Sequence, residues 1–194
     1  MNRSALTLTA LLAISPVLHG CFAAAVAGAG GAVLVAEDRR SAGTIVDDQN
    51  IELKAYNELS KRYGRNDAGA ARVLSFNRYV LLYGEVPSEE VKQGIAAAVM
   101  TVPNVRNVQN ELVVSPPIGW SQTTQDKLIT SKVKSRYVTQ HKFLANRVNV
   151  TTRNGVVYLM GLVTPQEADD ATEIARTTGG VQKVVRVFEL MPQA

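Results

Sequence analysis

With 194 residues, 21 Lys+Arg against 17 Asp+Glu and a formal charge of +4 at pH 7, the chain is modestly basic and long enough for one domain or two small ones. A single cysteine and two histidines exclude a disulfide framework and leave little for a transition-metal site. Whatever modules it forms must be held by apolar burial.

The first elements are processing signals. Arg3 supplies a positive start and "ALTLTALLAISPVL" an apolar core, which together predict a signal peptide over 1–20. "LHGC", Leu18 to Cys21, resembles the bacterial lipobox, and that resemblance makes Cys21 the lipidated first residue of the mature chain. Phe22 stands where inner-membrane retention signals usually place Asp, so the resemblance implies outer-membrane sorting with the body facing the periplasm. Residues 21–47 then read as a small-residue tether, "FAAAVAGAGGAVLVAED", too short and glycine-broken for an independent span. Read together with the signal, it also fits one uncleaved transmembrane anchor.

Residues 48–115 and 124–194 read as two copies of one module joined by a Pro/Gly linker, 116–123. "VLLYGEVPSEEV" returns as "VYLMGLVTPQEA": Asn77 aligns with Asn154, Gly84 with Gly161, Val86 with Val163 and Glu90 with Glu167. Upstream, Asp48 and Lys54 align with Asp126 and Lys132, and the register drifts by only a residue in either direction. Each copy predicts helix, hairpin, helix, strand. In the second, Ile129, Val133 and Tyr137 form an apolar stripe at spacing four, and Thr123 with Asp126 suggests a capping box. "RVNVTT" alternates as a half-buried strand, and Asn154-Gly155 suits a tight turn. Gly161 inside "VVYLMGLV" predicts a close backbone approach or a bulge. Thr164-Pro165 opens a second helix that Gly179-Gly180 stops, and "KVVRVFEL" closes the module. In the first copy, Arg78 replaces the turn glycine. The order predicts an α+β fold of two tandem α-β-β-α-β sandwiches, each a three-stranded sheet with helices on one face.

The doubled glycine-valine phrase with its later "V-x-x-V", placed behind a lipobox, resembles the BON domain family and in particular the dual BON-domain lipoproteins of Gram-negative envelopes. The resemblance covers essentially the whole mature chain. It implies a role in maintaining envelope integrity and contact with anionic phospholipid. Leu128 departs from the pattern, standing where family members often carry tryptophan on the second module's first helix.

Catalytic constellations are not found in the sequence. His141 has no second histidine in the mature chain, and Asp169-Asp170 and Glu89-Glu90 point about 100° apart on their helices, as solvated faces do. "GAGG" at 28–31 lacks the Lys and Ser/Thr of a phosphate loop. No enzyme activity, cofactor, metal or small-molecule substrate is expected, and an exported chain without aromatic-basic interleaving is not expected to bind nucleic acid.

What remains is a surface. From Asp48 to Ser115 the chain has eight basic and eight acidic residues, but from Thr124 to Ala194 it has ten and six. The second module is therefore the one to meet an anionic partner. Its first helix carries Leu128, Lys132 and Arg136 in a stripe beside the core stripe of Ile129 and Val133, and these five with Trp120 form the expected phospholipid-binding set. The residues alone fit equally a solvated helix whose Lys132 and Arg136 lie over their own core, and Trp120 fits an interfacial anchor or a packing residue between modules. The same basic helix also suits an acidic envelope protein as partner.

Overall fold

The computed structural model describes residues 38–67 and 70–192. The signal peptide, Cys21 and the tether up to residue 37 lie outside the described residues. Among those described, no helix is long and apolar enough to cross a membrane.

The first domain runs α1 (Ala42–Asp67), β1 (Arg72–Phe76), β2 (Tyr79–Val86), α2 (Glu89–Met100) and β3 (Asn107–Val114). The second repeats it as α3 (Trp120–Gln140), β4 (Val148–Arg153), β5 (Val156–Val163), α4 (Pro165–Arg176) and β6 (Lys183–Leu190). In each, the first two strands form an antiparallel hairpin, and the third pairs parallel to the second after a helical crossover. The α+β reading of the sequence is the observed fold.

Each domain has its own core between helices and sheet. Ile51, Ala55 and Leu59 of α1 meet Val80, Leu82, Ile95, Val99 and Leu112. Their counterparts Ile129, Val133 and Tyr137 of α3 meet Val150, Leu159, Ala171 and Ile174. Tyr137 donates its hydroxyl to the Ala171 carbonyl at 3.0 Å, and burial drives its pKa upward. Thr164-Pro165 opens α4, as the sequence indicates, and Thr164 forms a reciprocal capping box with Glu167 that the sequence reading did not include.

Two glycines at equivalent places hold the sheets close to the preceding chain. A Cβ on Gly161 would lie 2.5 Å from the Arg147 carbonyl oxygen, and one on Gly84 would lie 2.2 Å from that of Ala70. The predicted close backbone approach is present in both copies.

Beneath each hairpin turn sits a carboxylate from the helix before it. Asp126 accepts from the Asn154 amide at 2.8 Å and the Gly155 amide at 2.9 Å. Asp48 accepts from the Asn77 amide at 2.9 Å and the Arg78 amide at 2.7 Å. Asp126 is thus a buried turn clamp well inside α3, and the expected capping box with Thr123 does not form. The helix begins instead at Trp120, inside the stretch read as linker, and α1 begins at Ala42, inside the stretch read as tether. The Asp48 clamp explains how Arg78 keeps the two-residue turn without glycine. Asn77 and Arg78 hold φ of 53° and 65°, and the Asp48 bonds with an ion pair from Arg78 to Asp47 at 2.8 Å offset the cost of about 1–2 kcal/mol for a side chain in that region.

The two sheets pack on one another by the faces that their helices leave open. Phe76 and Leu81 meet Tyr158 and Met160, with Tyr79, Tyr83, Val156 and Val187 partly buried around them. The Tyr83 and Tyr158 rings lie 5.5 Å apart, and burial pushes the Tyr158 hydroxyl up to about 12. Arg153 grips Glu85 across the interface, and Asn77 donates to Glu189 at 2.6 Å. Just ahead of α1, Arg39 reaches the second domain, donating to Glu167 at 2.6 Å and to the Leu162 carbonyl at 2.9 Å. Arg147 binds the same carboxylate from its own domain. The chain that leaves the tether is therefore fastened to the second domain before it builds the first.

Candidate functional site

The distinctive surface is the outward side of α3. Its inward side is fixed by the stripe at spacing four, so Ile129 (6% exposed) and Val133 (0%) are core residues. Both were expected in the phospholipid-binding set, and their burial removes them from any lipid-facing surface. Their role is to hold the helix. At about 100° per residue the opposite side presents Trp120, Thr124, Leu128, Ser131, Ser135 and Val138. Trp120 is 90% exposed, Leu128 56% and Val138 58%. That exposure decides the open reading of Trp120: it is not a packing residue between domains.

Lys127, Lys132 and Lys134 are all exposed and flank this apolar line on both sides. Arg136 differs. Its guanidinium donates to the Ile174 carbonyl and to the Thr178 hydroxyl, both at 2.7 Å, and so closes the C-terminal end of α4. Of the expected cations, Lys132 projects to solvent while Arg136 is engaged over its own core. Sequence reasoning missed Val138, which lies beyond the stripe it followed. A shallow depression of about 520 Å³ lies between α3 and the end of α4, lined by Ser131, Lys132, Ser135, Arg136, Thr177 and Gly179.

Several charged groups elsewhere in the second domain are engaged structurally. Asp170 accepts from Gln166 at 3.1 Å and from Lys142 at 3.0 Å, which lowers its pKa, and Asp169 pairs with Arg186 at 3.1 Å. Burial raises the Glu167 carboxyl, but bonds from Arg39, the Thr164 amide and Arg147 outweigh it and hold the group at about 2. Among the described residues no cluster of His, Cys, Asp and Glu is placed to hold a metal ion. The geometry is that of an exposed face of mixed apolar and basic character on a paired α+β scaffold.

The chain belongs to the BON family, whose domain model matches it twice, over residues 47–116 and 125–192. It is 38% identical over 184 residues to the outer membrane lipoprotein DolP of Haemophilus influenzae, an alignment covering 95% of each chain. The 21 kDa hemolysin of Actinobacillus pleuropneumoniae is 35% identical over 151 residues, 78% of each chain. Among solved structures, the C-terminal domain of CdsD, a structural protein of the Chlamydia trachomatis type III secretion system, aligns with 13% identity and a TM-score of 0.30 over 70% of this chain and 96% of that one. This is an envelope-associated, DolP-like lipoprotein of two BON domains, and the outer-membrane location expected from the lipobox agrees with the name of that relative.

Proposed function

We propose that the protein, anchored in the outer membrane through Cys21, binds anionic phospholipid with the outward side of α3 and thereby supports envelope integrity without turning over a substrate. The observation that carries this reading is the exposure of Trp120, Leu128 and Val138 in one line between three lysines. Apolar tips enter the headgroup region while ammonium groups meet phosphates. Each lysine near an anionic surface contributes about 1 kcal/mol, so three give a weak, reversible grip that salt screens. A lipid anchor makes such a grip sufficient by holding the helix at high local concentration. The depression beside Lys132, with its serine and threonine hydroxyls, is where headgroups would settle.

Co-sedimentation of residues 38–194 with vesicles tests this. Pelleting should require phosphatidylglycerol, fall with added salt and be lost in Leu128→Glu. Equal pelleting with phosphatidylcholine, or no effect of that substitution, would overturn it. Capture of one acidic envelope protein in a salt-sensitive manner, with no vesicle binding, would instead make the same face a protein-docking surface.

A further inference from the structure

A second basic cavity lies on the other flank of α3, where the two domains meet. A groove of about 510 Å³ is lined from the first domain by Arg72 and Tyr83, and from the second by Asp126, Lys127, Ser131 and Arg153, with threonines of α3 and β4 between them. Its charges are unequally committed. Arg153 is occupied by Glu85, and Asp126 by three hydrogen bonds, from the Asn154 and Gly155 amides and from Gln122 at 3.0 Å. Arg72 of the first domain and Lys127 of the second face the groove, and neither has a carboxylate partner among the described residues. Arg72 spends one nitrogen on the Ala71 carbonyl at 3.1 Å, and the rest of its planar fork remains for a ligand.

Two cations facing a hydroxyl-lined cavity form a receptor for an oxyanion. A guanidinium takes a phosphate through paired N–H bonds, an ammonium adds a point charge, and hydroxyls satisfy the remaining oxygens. The volume is in the range of small-ligand sites and admits a glycerol phosphate. We infer that this groove is a phosphate-binding site, with Arg72 and Lys127 closing from opposite domains on a phosphate group carried by an anionic lipid headgroup or by a soluble phosphate. Ser131 borders both this groove and the depression on the outward flank, so a headgroup could reach it from the surface of α3. Occupancy would also bridge the domains. Lys127 also borders the outward face of α3, but Arg72 lies in the first domain and off that face, so a role for Arg72 does not depend on the lipid reading of that face.

The test uses the full chain in phosphatidylcholine nanodiscs, titrated with glycerol phosphate, inorganic phosphate and glycerol while the amide resonances of Ser131, Thr151 and Arg153 are followed. Saturable shifts are expected with at least one phosphate and none with glycerol, and Arg72→Gln should weaken binding by about tenfold, as loss of a charged hydrogen-bonding partner does. Saturation by glycerol phosphate alone would assign the site to a headgroup. Equal saturation by inorganic phosphate would assign it to the phosphate group itself. Absence of saturable shifts, or binding unchanged in Arg72→Gln, would overturn the inference. Vesicle partition is not read in this experiment, so it and the Leu128→Glu test can each fail alone.

Discussion

Arg153 of the second domain donates through Nε to both carboxylate oxygens of Glu85 in the first, at 2.9 and 3.2 Å, and its terminal nitrogen binds the same group. Both side chains are largely withdrawn from water, 13% and 5% exposed. The pair stands at the margin of the apolar contact between the sheets and fixes how one lies on the other.

Removing one partner should hurt more than removing both. Glu85→Ala leaves a guanidinium without its counter-charge at the interface and should cost about 3 kcal/mol. Replacing the pair together by Glu85→Leu and Arg153→Met should restore most of that stability. Urea denaturation of the single and double variants checks this. A double variant as unstable as Glu85→Ala would show that the ion pair itself supplies the stability.

The glycines under the strands are steric requirements. Gly161→Ala sets a methyl carbon against the Arg147 carbonyl, and Gly84→Ala meets that of Ala70 with φ already at 110°. Each should destabilise by about 2 kcal/mol or more, Gly84→Ala the more severely because strain adds to the clash. Thermal melts of both variants give the order.

Acid should loosen the second domain through Glu167. Its carboxyl is held at about 2 in the folded protein, well below the ordinary glutamate value of 4.5. A depressed folded pKa means the unfolded chain binds the extra proton first. The contribution is fully present above about pH 5 and is lost as pH falls from about 4.5 toward 2. Glu167→Gln should be less stable than the parent at pH 7, with the gap narrowed at about pH 3 and closing only toward about pH 2. Melting temperatures across this range test the sign, and a gap that widens in acid would refute it.

Lys132 and Arg136 share a helix stripe but should separate in experiment. Arg136→Gln removes bonds to Ile174 and Thr178 and should lower stability by about 1–2 kcal/mol. Lys132→Gln should leave the melting temperature unchanged while weakening attachment to anionic vesicles. Melting curves and co-sedimentation of the two variants, run in parallel, check this.

The duplicated module was legible because its devices are local. Alternation marks β4, Asn154-Gly155 marks its turn, and Gly161 marks a place without room for a side chain. Two relationships were not legible for a physical reason. Asp48 and Asp126 align between copies, yet a carboxylate near a helix start reads as a cap until tertiary structure brings the hairpin amides above it. The contact between sheets left a trace that went unused: "VLLYGEV" and "VVYLMGLV" are apolar on both faces, as strands covered on both sides are. Within the candidate site, the stripe of Leu128 and Lys132 was legible. The engagement of Arg136 was not, because it depends on where α4 ends.

Trp120 offers the most direct measurement. It is the sole tryptophan of the sequence, and it stands 90% exposed at the first turn of α3. Adding phosphatidylglycerol vesicles to residues 38–194 should shift its emission to shorter wavelength and protect it from aqueous quenchers, with both effects reversed by salt and absent with phosphatidylcholine. Emission that stays that of a water-exposed indole while the protein pellets with the vesicles would show that another surface makes the contact.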